Sequence, residues 1–140
     1  MMSVLTKDDL ESMKTNIEII KALPNPPQAV KDTLEAVALL LGYPPRQAKN
    51  WAFLQQLCKT GRFQRHMQEF QCEDVNLNSV KKARRLLSTY DRNTISGKCH
   101  AVVGLFIWAE SAVLEVENYL ETRKELMKER KISQNGKNKI

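Results

Sequence analysis

The sequence predicts an all-α fold: a small bundle of about six helices capping a short antiparallel two-stranded coiled coil. Three observations point there. Only five glycines occur in 140 residues, alternating β-branched residues are nearly absent, and most segments repeat their apolar residues with helical periodicity. With 42% hydrophobic residues, a chain of this length fits one domain with a modest core. No repeat at the period of a solenoid is visible.

The first helix is expected to begin near Thr6, whose hydroxyl can cap it while Asp8 and Asp9 favour its positive N-terminal end. Leu10, Met13, Ile17 and Ile20 then follow at spacings of three and four, a narrow seam of the coiled-coil kind. Pro24, Pro26 and Pro27 cannot continue that helix, so "LPNPP" reads as a joint that restarts the chain at a new angle.

From the joint, "PPQAVKDTLEAVALLLGY" predicts a helix starting near Gln28, with proline at its first turn and Gly42 as its stop. Val30, Leu34, Val37, Ala38 and Leu41 would face inward, and Lys31, Asp32 and Glu35 outward. "RQAKNWAFLQQLCKTG" reads as one further helix that buries Trp51, Leu54 and Leu57 and ends at Gly61. "FQRHMQEF" supplies a short helical turn from Phe63 to Phe70. "NLNSVKKARRLLSTY" gives a basic helix capped by Asn76 or Asn78, with Val80, Leu86 and Leu87 inward and Lys81, Lys82, Arg84 and Arg85 toward solvent.

A last long helix is expected from about Ser96. Gly104 falls inside it, where glycine costs about 1 kcal/mol against alanine and reads either as close packing or as a bend. The helix runs on into a second seam of Val113, Val116, Leu120 and Met127, interrupted by Arg123, within a surface dense in Glu and Lys/Arg. Two seams at opposite ends of one chain can pair with each other only antiparallel. The expected organisation is therefore a first strand over 1–23, a head over 24–112, a second strand over 113–131 and a frayed tail over 132–140.

The net charge of +6 is unevenly spread. Residues 1–45 carry four Lys/Arg against six Asp/Glu, residues 46–100 eleven against four, and residues 101–140 seven against six. The excess lies in the middle, where an acidic partner would be met. The basic run from Lys81 to Arg85 reads equally well as a solvated face or as that contact. It lacks a recognition-helix pattern, a GXXG loop and an aromatic stack, and Trp51 and Trp108 follow the apolar periodicity, so nucleic acid is not the expected partner.

Other function classes find little to stand on. Nothing resembles a signal peptide or a span of apolar residues long enough for a bilayer, so no membrane partner is expected and the chain is read as soluble and intracellular. Cys58, Cys72 and Cys99 are separated by 14 and 27 residues with only His66 and His100 as imidazoles, which argues against zinc and for reduced thiols. His66 reads as part of a surface turn, and His100 beside Cys99 as packing. With no phosphate loop either, no cofactor and no catalytic residue is expected.

Taken together, these residues resemble the stalk tip of dynein heavy chains, the microtubule-binding domain. The resemblance is carried by Asn25, Pro26, Pro27, Ala29, Val30, Lys31, Glu35, Leu40, Leu41 and Gly42, by Trp51 and Phe63, by "EFQCEDV" and "YDRNTI", and by "GLFIW" ending at Trp108. It covers about residues 5–125, with motifs that are individually weak but ordered and spaced as in the family.

The resemblance implies a non-catalytic tip on the groove between α- and β-tubulin, in a longer motor chain whose ATPase ring lies elsewhere. It implies cytoplasmic, cytoskeletal placement, the cilium or flagellum axoneme included, and membership of a dynein complex; the piece itself is expected as a monomer. Affinity would be set by the register of the coiled coil. Lys31 matches a tubulin-contacting lysine of the family, and Lys82, Arg84 and Arg85, with Lys81 beside them, fall on its basic helix. Ile107 stands where the family often has a basic residue, Glu115 where it has Tyr, and Arg92 where it has Pro, departures that suggest a divergent heavy chain. The alternative is a helical adaptor docking a protein through its seams or basic helix; a basic nucleic-acid-binding domain is third.

Overall fold

A computed structural model describes residues 14–20, 22–23 and 25–138, with side chains described as far as Lys128. The described residues are all-helical and contain no strand. The elements are α1 (residues 14–20), α2 (Gln28–Leu40), α3 (Pro45–Ala48), α4 (Trp51–Lys59), α5 (Arg62–Gln68), a 3₁₀ turn at Cys72–Asp74, α6 (Leu77–Ser88), α7 (Arg92–Lys98), a second 3₁₀ turn at His100–Val102, and α8 (Val103–Asn138).

The expected start of α2 holds. Pro27 takes the N-cap position, and its carbonyl accepts the N–H groups of Val30 at 3.0 Å and Lys31 at 3.3 Å. At the other end Gly42 adopts φ +96°, a left-handed conformation that costs glycine least. Its N–H reaches the Leu39 carbonyl while Tyr43 N–H reaches Ala38, so two carbonyls that the helix end would leave orphaned are satisfied.

Two expected helices are each divided, which raises the helix count above six. The stretch read as one helix up to Gly61 breaks after Lys49. Asn50 is extended there, and its side chain accepts the Phe53 N–H at 3.2 Å to start α4; an asparagine that caps competes with one that continues a helix. The last helix begins at Val103 rather than Ser96, because Cys99 is extended at φ −161° and ψ 104°. Ser96 instead belongs to α7, whose N-cap Asp91 accepts the Thr94 N–H at 2.7 Å.

Gly104 consequently sits in the first turn of α8, not in its middle. Among the described residues a Cβ there would meet only the Asn16 side-chain nitrogen at 3.9 Å, an ordinary contact. At the far end the backbone stays helical through Asn138, where fraying was expected. Extending an existing helix fixes one residue per hydrogen bond gained, so apolar periodicity is not required to continue it.

The core gathers Val30, Leu34, Val37 and Leu39 of α2, Leu54 of α4, Phe63 of α5, Ile95 of α7, and Leu105 and Phe106 of α8, all at most 2% exposed. α6 packs along both α2 and α8. Ile17 and Ile20 of α1 join the same cluster, as do Val113 and Val116; the latter pair, expected in the second coiled-coil strand, is buried with the head. Leu120 packs partly against the cluster, and Met127 is 60% exposed. Leu10, Met13, Thr6, Asp8, Asp9 and Pro24 lie outside the described residues. No described helix is long and apolar enough to cross a membrane.

Candidate functional site

α6 owes its two-sided character to its spacing. Asn76 caps it by accepting the Asn78 N–H at 2.7 Å. Val80, Ala83 and Leu87 then follow at three and four residues and are buried, which turns Lys81, Lys82, Arg84 and Arg85 outward. All four are exposed, but they do not form one group.

Lys81 and Arg85 lie one turn apart and, with Lys82, Asn78, Ser79 and Pro45 of α3, line a recess between the start of α6 and α3. Among the described residues none of these three cations makes an ion pair. Lys82 shares with Lys49, at the end of α3, an attraction to the half-buried Glu35 carboxyl. Burial and the neighbouring Asp32 push Glu35 above its usual carboxylate range, and the two lysines oppose that rise. Lys49 thus belongs to the basic surface although it stands 33 residues before Lys82.

Arg84 is directed elsewhere. Its guanidinium pairs with the Glu117 carboxylate of α8, and two turns earlier on α8 Glu110 accepts from Arg92 Nε at 3.1 Å. These two arginines tie α6 and α7 to α8. The sequence groups Arg84 with the partner-facing cations, because a tertiary ion pair across 33 residues leaves no periodic trace in it.

Lys31, expected to point outward, is half-buried, as are Asp32 and Glu35. For Asp32 the reason is two side chains that hold its carboxylate. Asp32 accepts from Gln28 Nε2 at 2.9 Å and from the Tyr90 hydroxyl at 2.6 Å. Burial first, and this hydrogen bond second, push the Tyr90 phenol up to about 12.

The joint also shows a tie that sequence reading missed. Pro26 and Pro27 have no N–H to offer the carbonyls of Ala22 and Leu23 four residues before them. Gln55 of α4 supplies one instead, donating from Nε2 to the Leu23 carbonyl at 3.2 Å. Pro26 is buried beside it in sequence, and Pro27 begins α2.

The remaining candidates are engaged structurally. His66 is half-buried rather than on a free turn, with Nδ1 2.6 Å from the Tyr43 hydroxyl, and His100 Nδ1 lies 3.2 Å from Ser96 Oγ. Trp51 is half-buried, and its indole N–H is enclosed without an acceptor. Of the three cysteines, Cys58 is buried, while Cys72 and Cys99 are half-buried. Burial and the nearby Glu73 and Glu115 push the Cys72 thiol up, which lowers its thiolate fraction. What the surface between α3 and α6 can do is attract anions.

The chain matches no protein-family model, and none of the curated proteins compared with it matches either.

Proposed function

We propose that this chain is a non-catalytic microtubule-binding tip of a dynein heavy chain, meeting acidic tubulin through the basic surface of α6 and α3. One observation carries the reading: Lys81, Lys82 and Arg85 stand exposed on one recess of an all-helical head with no ion pair among the described residues. The ordered motifs from Asn25 to Trp108 support it from the sequence side. In this reading α1 and the far part of α8 are the two stalk strands, and their register sets the affinity.

The geometry reshapes the set of contacts. Lys81, Lys82 and Arg85, joined by Lys49, carry the attraction, with Lys31 contributing less because it is half-buried. Arg84 acts through Glu117 rather than on the partner. Each exposed cation contributes on the order of 0.5–1 kcal/mol, and salt screens the sum over about 8 Å at physiological ionic strength. The parent chain would be an ATPase in a cytoskeletal complex, cytoplasmic or axonemal.

Co-sedimentation with microtubules at low and moderate salt tests the proposal. Binding that weakens as salt rises is expected. Absence of binding with α1 and α8 cross-linked in each of the alternative registers overturns it.

A second reading, a helical adaptor, is favoured by one feature: Leu126 and Met127 are 51% and 60% exposed on the outer turns of α8. If the chain sediments as a dimer through those turns in analytical ultracentrifugation, and does not bind microtubules, this reading replaces the first.

A further inference from the structure

We infer that the recess between α3 and α6 is a site for an extended, glutamate-rich peptide segment rather than for a flat acidic surface. The inference deepens the proposed function and rests on it for the large partner to which such a segment would belong. The recess itself can be examined with no microtubule present.

Spacing is the first argument. Lys81 and Arg85 are four residues apart on α6, a rise of about 6 Å along the helix. Side chains two residues apart on one face of an extended peptide are separated by about 6.6 Å. Alternate carboxylates of an extended acidic segment therefore fall opposite successive cations of α6. A folded acidic surface offers no such fixed repeat, whereas an extended segment can follow the recess lined by Pro45 of α3 and Asn78 and Ser79 of α6.

Charge is the second. Lys81, Lys82 and Arg85 line the recess without an ion pair among the described residues, and Lys49, which acts with Lys82 on the Glu35 carboxyl, adds positive charge to the same surface. The exposed polar side chains of the first turn, Asn78 above all, can take up main-chain groups of a bound segment while its carboxylates meet the cations. Nucleic acid fits less well. Among the described residues no aromatic ring lines the recess, so bases splayed from a phosphate backbone would find none there to stack upon.

The test is a titration of a fluorescent oligoglutamate peptide with the purified chain, read by anisotropy, beside a labelled single-stranded oligonucleotide of equal charge. Saturable peptide binding that weakens with salt is expected. The double variant Lys81→Glu/Arg85→Glu should lower peptide affinity by about tenfold or more, and the neutral pair Lys81→Gln/Arg85→Gln by a smaller factor. The control Lys59→Glu/Arg62→Glu, exposed on α4 and α5, makes the same change in net charge and should stay within about twofold. Circular dichroism confirms that the variants fold.

Three outcomes overturn the site: no peptide binding, equal loss in both reversal variants, or tighter binding of the oligonucleotide. The failures are separable. A chain that binds the peptide through Lys81 and Arg85 but does not sediment with microtubules refutes the proposed function alone; one that sediments with microtubules but ignores the peptide refutes the recess alone.

Discussion

One backbone helix, α8, is two different objects along its length. From Leu105 to Val116 it buries Leu105, Phe106, Trp108, Ala109, Ala112, Val113 and Val116 against the head. From Glu121 to Lys128 every side chain is exposed, Leu126 and Met127 included. The first stretch is helical because tertiary burial holds it. The second, with Glu121 three residues before Lys124 and Glu125 three before Lys128, has among the described residues only pairs worth about 0.2–0.5 kcal/mol each and the backbone ladder. Helicity is common to both, so it says little about where the fold's stability resides.

The sharpest way to break this contrast is Phe106→Ala. Phe106 is 0% exposed in the middle of the buried stretch, and truncating a fully packed phenylalanine costs about 3–5 kcal/mol. Chemical denaturation followed by circular dichroism should show a loss of that size. A loss below about 1 kcal/mol would mean that the buried stretch of α8 is not part of the head's cooperative core.

Next in size is the tie between α2 and the loop after α6. Tyr90→Phe removes the hydroxyl that donates to Asp32, a hydrogen bond to a charged acceptor, half-exposed and so worth about 1 kcal/mol. The sign of its pH dependence follows from the raised phenol. Because Tyr90 is pushed from its ordinary value of 10.0 to about 12 in the folded chain, its contribution is complete below pH 10 and is lost as pH rises through about 12. The native chain should therefore lose more stability over that window than Tyr90→Phe does. At the acid end the sign reverses. Asp91 is held below its usual value by the Thr94 N–H, so its contribution disappears as pH falls through that range, and Asp91→Asn should flatten the acid limb of the curve.

Arg84 and Glu117 sit just beyond the last fully buried residue of α8. A double-mutant cycle with Arg84→Ala and Glu117→Ala should give a coupling of about 0.2–1 kcal/mol that shrinks as salt rises. If it does, the boundary between the two stretches is held by a weak and salt-sensitive latch. A coupling of zero would leave Arg84 free to act with Lys81 and Arg85, as the sequence suggested.

The pattern of what sequence revealed follows the range of the interactions. The all-helical class, α2 with Gly42, and α6 with Asn76 and its inward Val80 and Leu87 were legible, since spacing, caps and stop signals are local. The breaks at Asn50 and Cys99 were missed. Asn50 did carry a signal, a capping residue three before Phe53, which uninterrupted periodicity outweighed; nothing in the sequence marks Cys99 as extended. Arg84 with Glu117 and Gln55 with the Leu23 carbonyl join residues about 33 and 32 apart, and Lys49 and Lys82 are related only through the Glu35 carboxyl that both attract. They divide the basic helix into a latch and a recess, and only the packing of α6 on α2 and α8 creates that division.

The smallest expected effect tests the exposed stretch. Leu126→Ala with Met127→Ala removes side chains already more than half exposed and replaces them with a better helix former, so stability should move by no more than about 0.5 kcal/mol. The seam predicted from Leu10, Met13, Ile17 and Ile20 with Val113, Val116, Leu120 and Met127 demands a different result at its outer end. A Met127 buried against a second strand would cost about 2 kcal/mol or more on truncation, and the cost would vanish when that strand was deleted. A large loss in the full chain and none in a chain lacking residues 1–13 would place a paired stalk on the outer turns of α8. A small loss in both would mean that the chain's own N-terminal seam does not cover Met127, and that these turns are open to a partner.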